Sequence, residues 1–238
     1  MMLFAVAVLL LGVSGNAMAY FTADGELIRA VYSGNGSGQE ILTDLGPVSS
    51  LSSVQNFNTS NFSLAGLGGS ATWANSYVGY FAVALSPTQQ AWTSGPLTGQ
   101  SNAGMQNFNN IYSAAGYVMG NASQSVGQSF TVSQSDPNSY HTQMNAGSAG
   151  AGYMGGYLFG GGDQNLAALG STGYVDQVIY NYANPDDAAQ GVGIAVIRTF
   201  ADGHSESNPA VVPVPAPILL FGSGLIGLVG IGRRKQSA

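Results

Sequence analysis

The chain has 238 residues and a formal charge of −6, and 7% of its residues are charged, against roughly 25% in an average soluble domain. Charged residues are too scarce for charge-driven disorder, and the apolar share of 45% is enough to build a core. An acidic chain with so few basic residues is a poor match to a polyanion, so we expect no nucleic-acid partner. Cysteine is absent from the sequence, so the fold cannot depend on disulfides.

Residues 1–19 have the pattern of a cleaved secretory signal helix. An apolar run, Leu3–Val13, is followed by Ala17 and Ala19, small residues at positions −3 and −1 before Tyr20, which fit the pocket of signal peptidase. The run would span about 16 Å as a helix, against ~30 Å of hydrocarbon, so cleavage is favoured over the alternative of a membrane anchor. One departure from the pattern is that no Lys or Arg precedes the apolar run.

The strand-like segments fall within residues 20–208, the predicted exported ectodomain. These segments are residues 26–32, 40–45, 77–85, 173–182 and 191–200. The first two flank a glycine-rich gap with Asn35-Gly36, which predicts a hairpin. The third is apolar throughout and predicts a central strand buried on both faces. The last two form a further predicted pair, with turn residues at 184–187 between them.

Two segments of the ectodomain are predicted to be helical. Residues 103–119 place apolar side chains at spacings of three and four, as one face of a helix requires. Asp136-Pro137 is a typical helix start, with an acidic cap and then Pro at the first helical position. Tyr140 and Met144 follow four residues apart, and a glycine-rich stretch, 147–162, separates this helix from the final strands.

The order of these elements predicts a mainly β fold, an antiparallel β-sandwich with a helical insertion. The sequence shows no repeat of fixed period, which argues against a solenoid. All eleven acids but only two cations, Arg29 and Arg198, lie in residues 20–208, so the formal charge of this segment is −9. Ser, Thr, Asn, Gln and Gly must therefore keep its surface soluble, and such a surface mixes well with hydrated polysaccharide.

The C-terminal residues 209–238 have three parts. Residues 209–217 are a Pro-rich linker, and residues 218–232 are uncharged and predict a transmembrane helix of about 22 Å, short for a bilayer but workable with local thinning. The basic residues that follow predict a cytoplasmic tail over 233–238, with the bulk of the chain outside. Five glycines and a marginal length suit a helix that is held only until an enzyme cuts beside it, although a plain C-terminal anchor remains the alternative.

This tail resembles the PEP-CTERM sorting domain, which exosortases recognise in Gram-negative bacteria that make exopolysaccharide. The resemblance covers residues 212–235, and residues 215–225 are similar to a common variant. The Glu that the family places between two prolines is Val214 here, which leaves the cleavage point and the cognate exosortase open. The body also loosely resembles PEP-CTERM ectodomains, through residues 25–32, 43–46 and 173–177. The resemblance implies a sorting signal made of Val212, Pro213, Val214, Pro215, Ala216, Arg233, Arg234 and Lys235.

The inventory of catalytic side chains is small, and we expect no enzyme and no catalytic residue. Two histidines, His141 and His204, and three glutamates are present, and no Gly-x-Ser-x-Gly elbow specifies a nucleophile. Glycoside hydrolysis needs two carboxylates about 5–9 Å apart, whereas most acids here lie in turn contexts such as Asp136-Pro137 and Asp202-Gly203.

Metal-binding patterns are weak, and we expect no cofactor. Residues 160–165 resemble one copy of a glycine–aspartate calcium repeat, but one copy cannot stack, so a tight loop is the default. His141 and His204 have no His partner at metal-ligand spacing, which argues against zinc. Asp186-Asp187 is the remaining candidate, for a weakly bound surface Ca²⁺.

Tyr174, Tyr180 and Tyr182 fall on alternate positions of one predicted strand, and therefore on one face. Exposed, these rings would form a platform on which sugar rings stack. Facing inward, they would be core, which is the commoner fate of aromatic residues at strand spacing.

These patterns together predict an exported protein that signal peptidase and an exosortase process. The C-terminal helix would anchor it transiently in the inner membrane, and cleavage near residues 213–217 would place it at the cell surface, in the outer envelope or in the extracellular matrix. Its role would be structural or adhesive in exopolysaccharide or biofilm. The alternatives are a lectin-like module that binds the polysaccharide through its tyrosines and, less favoured, a secreted glycoside hydrolase.

Overall fold

The computed structural model describes residues 25–34, 38–57, 61–85, 88–97, 108–120, 126–145, 162–183 and 191–209. The chain divides after Asn208 into two units, Met1–Asn208 and Pro209–Ala238, and every element below belongs to the first. The predicted signal helix, C-terminal helix and basic tail lie outside the described residues. Within the described ranges, no helix is long and apolar enough to span a bilayer.

The described residues form ten strands in one antiparallel sheet. They are β1 (Glu26–Ser33), β2 (Gln39–Pro47), β3 (Gln55–Asn56), β4 (Ser76–Ala84), β5 (Gln90–Gly95), β6 (Ser129–Ser133), β7 (Gln164–Asn165), β8 (Tyr174–Tyr182), β9 (Val192–Phe200) and β10 (Ser205–Ser207). Their order is β3-β10-β9-β8-β5-β4-β1-β2-β6, and β7 pairs with β4 beside this path. The predicted mainly β, antiparallel fold is confirmed, and the predicted hairpins are β1–β2 and β8–β9.

The sheet is strongly curled, as contacts between distant strands show. Five strand steps separate β1 from β10, which would place them roughly 24 Å apart in a flat sheet. Yet the Arg29 guanidinium on β1 donates a hydrogen bond to Ser205 Oγ on β10 at 2.9 Å. The Tyr80 hydroxyl on β4 also reaches Ser205 Oγ at 2.9 Å. The face that carries Arg29 and Tyr80 is therefore concave, and one curled sheet stands where two separate sheets of a sandwich were expected.

Each face of the sheet carries its own core. On the concave face, odd-numbered positions of β1 and β2 and even-numbered positions of β4 pack against short turns that include Leu51, Leu67 and Leu166. On the convex face, Ile28, Phe81 and their neighbours pack under the helix described below. Strand β4 is buried on both sides, as its apolar composition predicts, because β1 and β5 flank it and both faces are covered.

Two helical elements cover the convex face. Helix α1 spans Phe108–Gly120, which overlaps the predicted segment 103–119 and ends one residue beyond it, and it buries Ala114, Ala115, Val118 and Met119. The helix predicted after Asp136-Pro137 is a single wide turn, His141–Asn145, and Tyr140 and Met144 are buried in the core of the convex face. The Asp136 carboxylate accepts a hydrogen bond from the Asn138 amide at 2.8 Å, in keeping with a capping role.

Candidate functional site

The predicted processing residues cannot be placed. The signal-peptidase residues Ala17, Ala19 and Tyr20 lie outside the described residues, as do the sorting residues 212–216 and 233–235 and the Asp186-Asp187 pair. Each of these remains a prediction from sequence.

The prediction that three tyrosines of β8 form an exposed platform is wrong for two of them. Tyr180 is 6% exposed and Tyr182 2% exposed, and both belong to the core of the convex face. The Tyr180 hydroxyl donates to the Pro96 carbonyl at 2.9 Å, which satisfies its polar end inside the protein. The reason is that this part of β8 lies among residues packed with α1, so the alternative expectation, core packing, holds for both rings.

Tyr174 is the member of the predicted platform that stays accessible, with 36% of its surface exposed. The Arg198 guanidinium lies 3.9 Å from the centroid of its ring, a cation–π contact. Arg198 also donates to both carboxylate oxygens of Asp176, at 2.7 and 2.8 Å. This two-point contact holds the arginine in place and fixes it against one face of the Tyr174 ring.

The aromatic surface continues from Tyr174 to the β9–β10 hairpin. The Phe200 ring lies 6.5 Å from Tyr174 and stacks on the His204 imidazole at 4.1 Å. His204 contacts the Asp202 carboxylate through Nδ1 and lies 3.8 Å from Glu206 through Nε2. We call Tyr174, Asp176, Arg198, Phe200 and His204 the Tyr174 face. It combines aromatic rings with the fixed carboxylate of Asp176, and rings beside polar groups are typical of sites that recognise a polyhydroxylated ligand.

A second cluster, which the sequence did not reveal, is centred on the Asp163 carboxylate. The hydroxyls of Tyr32 and Tyr140 each donate to one of its oxygens at 2.7 Å. Burial raises the pKa of Asp163, and the two hydroxyl donors oppose that rise in part. The pKa values of both tyrosines are also raised, chiefly by burial, so the hydroxyls stay protonated and remain donors.

Aromatic rings surround this carboxylate. Tyr77 stacks on Tyr32 at 5.7 Å, and His141 meets Tyr32 edge-on at 6.0 Å. Burial lowers the pKa of His141, although the nearby Asp163 charge opposes this. The cluster therefore connects β1, the turn at His141–Asn145 and the segment before β7.

Glu40 is on β2, and its side chain contacts the start of the turn at His141–Asn145. Its carboxylate accepts hydrogen bonds from the backbone amides of Tyr140 at 2.6 Å and His141 at 3.0 Å. Burial nevertheless raises the pKa of Glu40 to about 7, because these two amides only partly offset the loss of solvent. The Glu40 carboxyl thus acts as a cap that can hold a proton near neutral pH.

Glu26 and Asp44 are buried acids that influence each other electrostatically, and Asp44 lines a cavity of about 280 Å³. Burial raises the pKa of Glu26 to about 7, and the negative charge of Asp44 adds to the rise. Burial also raises the pKa of Asp44, although the Gly46 amide donates to its Oδ1 at 2.8 Å and opposes the rise.

Comparisons with known proteins give no relative: no protein-family model matches the chain, and no curated protein and no solved structure matches it. What the chain shows is a class of fold, a mainly β protein built on one curled antiparallel sheet.

Proposed function

We propose that the protein is exported and sorted by an exosortase, and that its body is displayed at the cell surface or in an exopolysaccharide matrix with a structural or adhesive role. The observation that carries the proposal is the tripartite pattern of residues 212–235, with Pro-Val-Pro before an uncharged stretch and a terminal Arg-Arg-Lys. In this scheme signal peptidase cuts after Ala19, and the C-terminal stretch holds the chain in the inner membrane until the exosortase acts.

The chemistry of the described body supports a matrix role. Arg29 and Arg198 are the two cations of residues 20–208. Arg29 is fully buried, with hydrogen bonds to the Gly203 carbonyl at 3.0 Å and to Ser205 Oγ. Arg198 is held by Asp176. Because both guanidinium groups are used within the fold, the surface offers neutral polar groups and acids, which suits contact with hydrated neutral polysaccharide and avoids attraction to acidic polymers.

Mass spectrometry of the protein recovered from the cell surface tests this proposal. We expect a mature form that begins near Tyr20 and lacks Arg233, Arg234 and Lys235. A Pro213→Ala/Pro215→Ala variant should keep its tail and stay in the membrane fraction, whereas Pro209→Ala, a proline substitution before the motif, should be processed normally. A surface form that retains the basic tail would overturn the proposal.

A second candidate function is carbohydrate binding at the Tyr174 face. The observation that favours it is an accessible ring fixed by Arg198 beside the Asp176 carboxylate. Aromatic rings with adjacent hydrogen-bonding groups provide stacking and polar contacts to sugar rings.

Binding to neutral polysaccharides, with dextran and the host's own exopolysaccharide as probes, tests this second function. Tyr174→Ala should reduce retention on the polysaccharide by tenfold or so, the effect of about 1.4 kcal/mol. Tyr117→Ala is the matched control, because Tyr117 lies on α1 with a similar exposed fraction, 48% against 36%. Equal binding by the wild type and both variants, or no binding by any of them, would leave the matrix role without a specific sugar site.

A further inference from the structure

The convex face of strands β8, β9, β10 and β3 carries a row of polar side chains that crosses all four strands. Asp176 on β8 is paired with Arg198 on β9. Arg198 is in turn paired with Glu206 on β10, and Glu206 with Asn56 on β3. Residues directly opposite each other on paired strands project from the same face of a sheet, so these side chains form one row. At about 4.8 Å between neighbouring strands, the row is roughly 14 Å long.

Contacts along the row hold its side chains in place. Arg198 donates to both oxygens of Asp176, and the Asn56 amide donates to Glu206 Oε1 at 3.3 Å. The Glu206 side chain is 27% exposed, and Asn56 is exposed. A carboxylate offers about four acceptor positions and a guanidinium five N–H donors, so these contacts do not exhaust either kind of group. The row can therefore exchange hydrogen bonds with the hydroxyls of a ligand.

A row of rings lies beside the polar row. Tyr174 is paired with Phe200, and their centroids are 6.5 Å apart. The His204 imidazole continues the row by stacking on Phe200 at 4.1 Å. Each ring is two residues from a member of the polar row, and positions two apart on a strand share a face at a separation of roughly 7 Å. We call the two rows together the cross-strand strip. It has rings along one side and hydrogen-bonding groups along the other.

The shape of the strip favours a polymer over a single sugar. Small molecules bind in concave sites that enclose most of their surface, and an open strand face does not enclose a monosaccharide. A strip roughly 14 Å long matches an extended chain of several sugar units. The C–H faces of the units would stack on the rings, and their hydroxyls would reach the polar row.

The charge of the strip favours a neutral polymer. The carboxylates of Asp176 and Glu206 lie on either side of a single guanidinium, that of Arg198. The carboxylate of Asp202, whose side chain is 64% exposed, adds a further negative charge beside His204. The resulting excess of negative charge repels acidic polymers and leaves neutral hydroxyl groups as the suitable partners.

We propose that the cross-strand strip binds an extended chain of a neutral polysaccharide, which crosses the strands from Tyr174 at one end to Asn56 at the other. Tyr174 and Phe200 stack on sugar rings, and Glu206 and Asn56 bind the hydroxyls of the units farthest from Tyr174. This inference rests on the carbohydrate binding proposed for the Tyr174 face, and it adds the direction of the chain and the number of units in contact. The affinity should therefore rise with chain length until the strip is filled.

Calorimetric titration of the purified full chain with oligosaccharides of defined length tests the proposal. The probes are size-fractionated fragments of dextran and of the host's own exopolysaccharide, from two to eight units long. For the series that binds, we expect the association constant to rise by more than tenfold from the shortest to the longest fragment, which exceeds the gain from the larger number of equivalent units. Equal association constants at all lengths would overturn the proposal and leave a sugar site at Tyr174. Binding of no fragment and of neither parent polymer would overturn both.

Variants at the far end distinguish the strip from a site at Tyr174 alone. Asn56→Ala and Glu206→Ala should each weaken binding of the eight-unit fragment by about 2–10-fold, the effect of one lost hydrogen bond, and leave binding of the two-unit fragment unchanged. Tyr174→Ala should weaken the binding of both fragments. Asn138→Ala is the matched control and should bind like the wild type, because Asn138 lies in the turn after β6 and on no strand of the strip.

Unchanged binding of the eight-unit fragment by both Asn56→Ala and Glu206→Ala would refute the strip. If either variant fails to fold, the side-chain amide signal of Asn56 in the NMR spectrum of the wild type decides. It should shift on addition of the eight-unit fragment and not on addition of the two-unit fragment, and a signal that moves with neither would also overturn the proposal.

Discussion

The stability of this protein should fall as pH rises from about 5 to 8, and Glu40 should account for much of the loss. Its side chain is buried, and burial raises its pKa from 4.5 to about 7. The folded state therefore holds the proton more tightly than the unfolded state. The resulting stabilisation is fully present below pH 4.5 and disappears as pH rises through 7. At 1.36 kcal/mol per pKa unit, a rise of this size corresponds to roughly 3 kcal/mol.

Urea denaturation at a series of pH values between about 5 and 8 measures this term, with Glu40→Gln as the comparison. The glutamine loses one amide acceptor at Tyr140 or His141, but that loss is independent of pH. The difference between the two profiles therefore isolates the carboxyl. We expect the wild type to lose up to roughly 3 kcal/mol more than the variant across this range.

Other groups titrate in the same pH range, so the quantity to compare is the difference in unfolding free energy between the wild type and Glu40→Gln at each pH. Glu26 also has a raised pKa, and Glu26→Gln should remove a second part of the slope. The lowered pKa of His141 acts in the opposite direction, because an imidazole that resists protonation makes the fold more stable as pH rises towards 6.5. Parallel profiles for the wild type and Glu40→Gln would refute the reasoning, since they would show that the two amides keep Glu40 ionised at its ordinary pKa.

Two other substitutions test how the curled sheet is held together, each by its urea midpoint. Gly203→Ala should destabilise the fold by more than 3 kcal/mol, because φ is +91° and the added Cβ would collide with the backbone of Phe62, whose N would lie at 2.6 Å. Gly173→Ala is its control, because φ is +80° there and the added Cβ would meet open space, so it should cost about 1 kcal/mol. Equal losses of stability in the two variants would show that the positive φ, and not the collision with Phe62, determines the cost. Arg29→Ala should cost about 2–4 kcal/mol, since it removes the hydrogen bonds that a buried guanidinium donates to Ser205 and Gly203, and a loss below 1 kcal/mol would contradict its role as a link across the sheet.

Composition predicted the long strands because their apolar residues are buried on one or both faces. Strand β4 is the clearest case, since an apolar run of nine residues can be accommodated only in the middle of a covered sheet. Strand β5 was missed because Gln90–Gly95 is largely polar. It is nevertheless buried, because it pairs with β4 on one side and β8 on the other. The sequence of one short segment does not show which strands will lie beside it in the sheet.

The tyrosines of β8 show what the alternation of residues along a strand cannot predict. Alternation correctly places Tyr174, Tyr180 and Tyr182 on one face of the strand. It does not say where along the strand that face is covered. The core of the convex face encloses the last two rings and ends before Tyr174, so one face of a single strand is both core and surface.

The buried polar clusters around Asp163 and Arg29 could not be predicted from sequence, because their members are far apart in the chain. Composition also does not show that these side chains connect distant strands of the sheet. Tyr32 and Asp163 are 131 positions apart, and Arg29 and Ser205 are 176 apart. A sheet that curls this strongly, in a chain without cysteine, has to be closed by something other than disulfides. Hydroxyl and guanidinium groups make the connections between distant strands here, and each replaces solvent with a specific acceptor inside the protein. The scarcity of charge in the sequence therefore has a structural counterpart, since most of the ionisable groups discussed here are buried in the fold and few are left to face solvent.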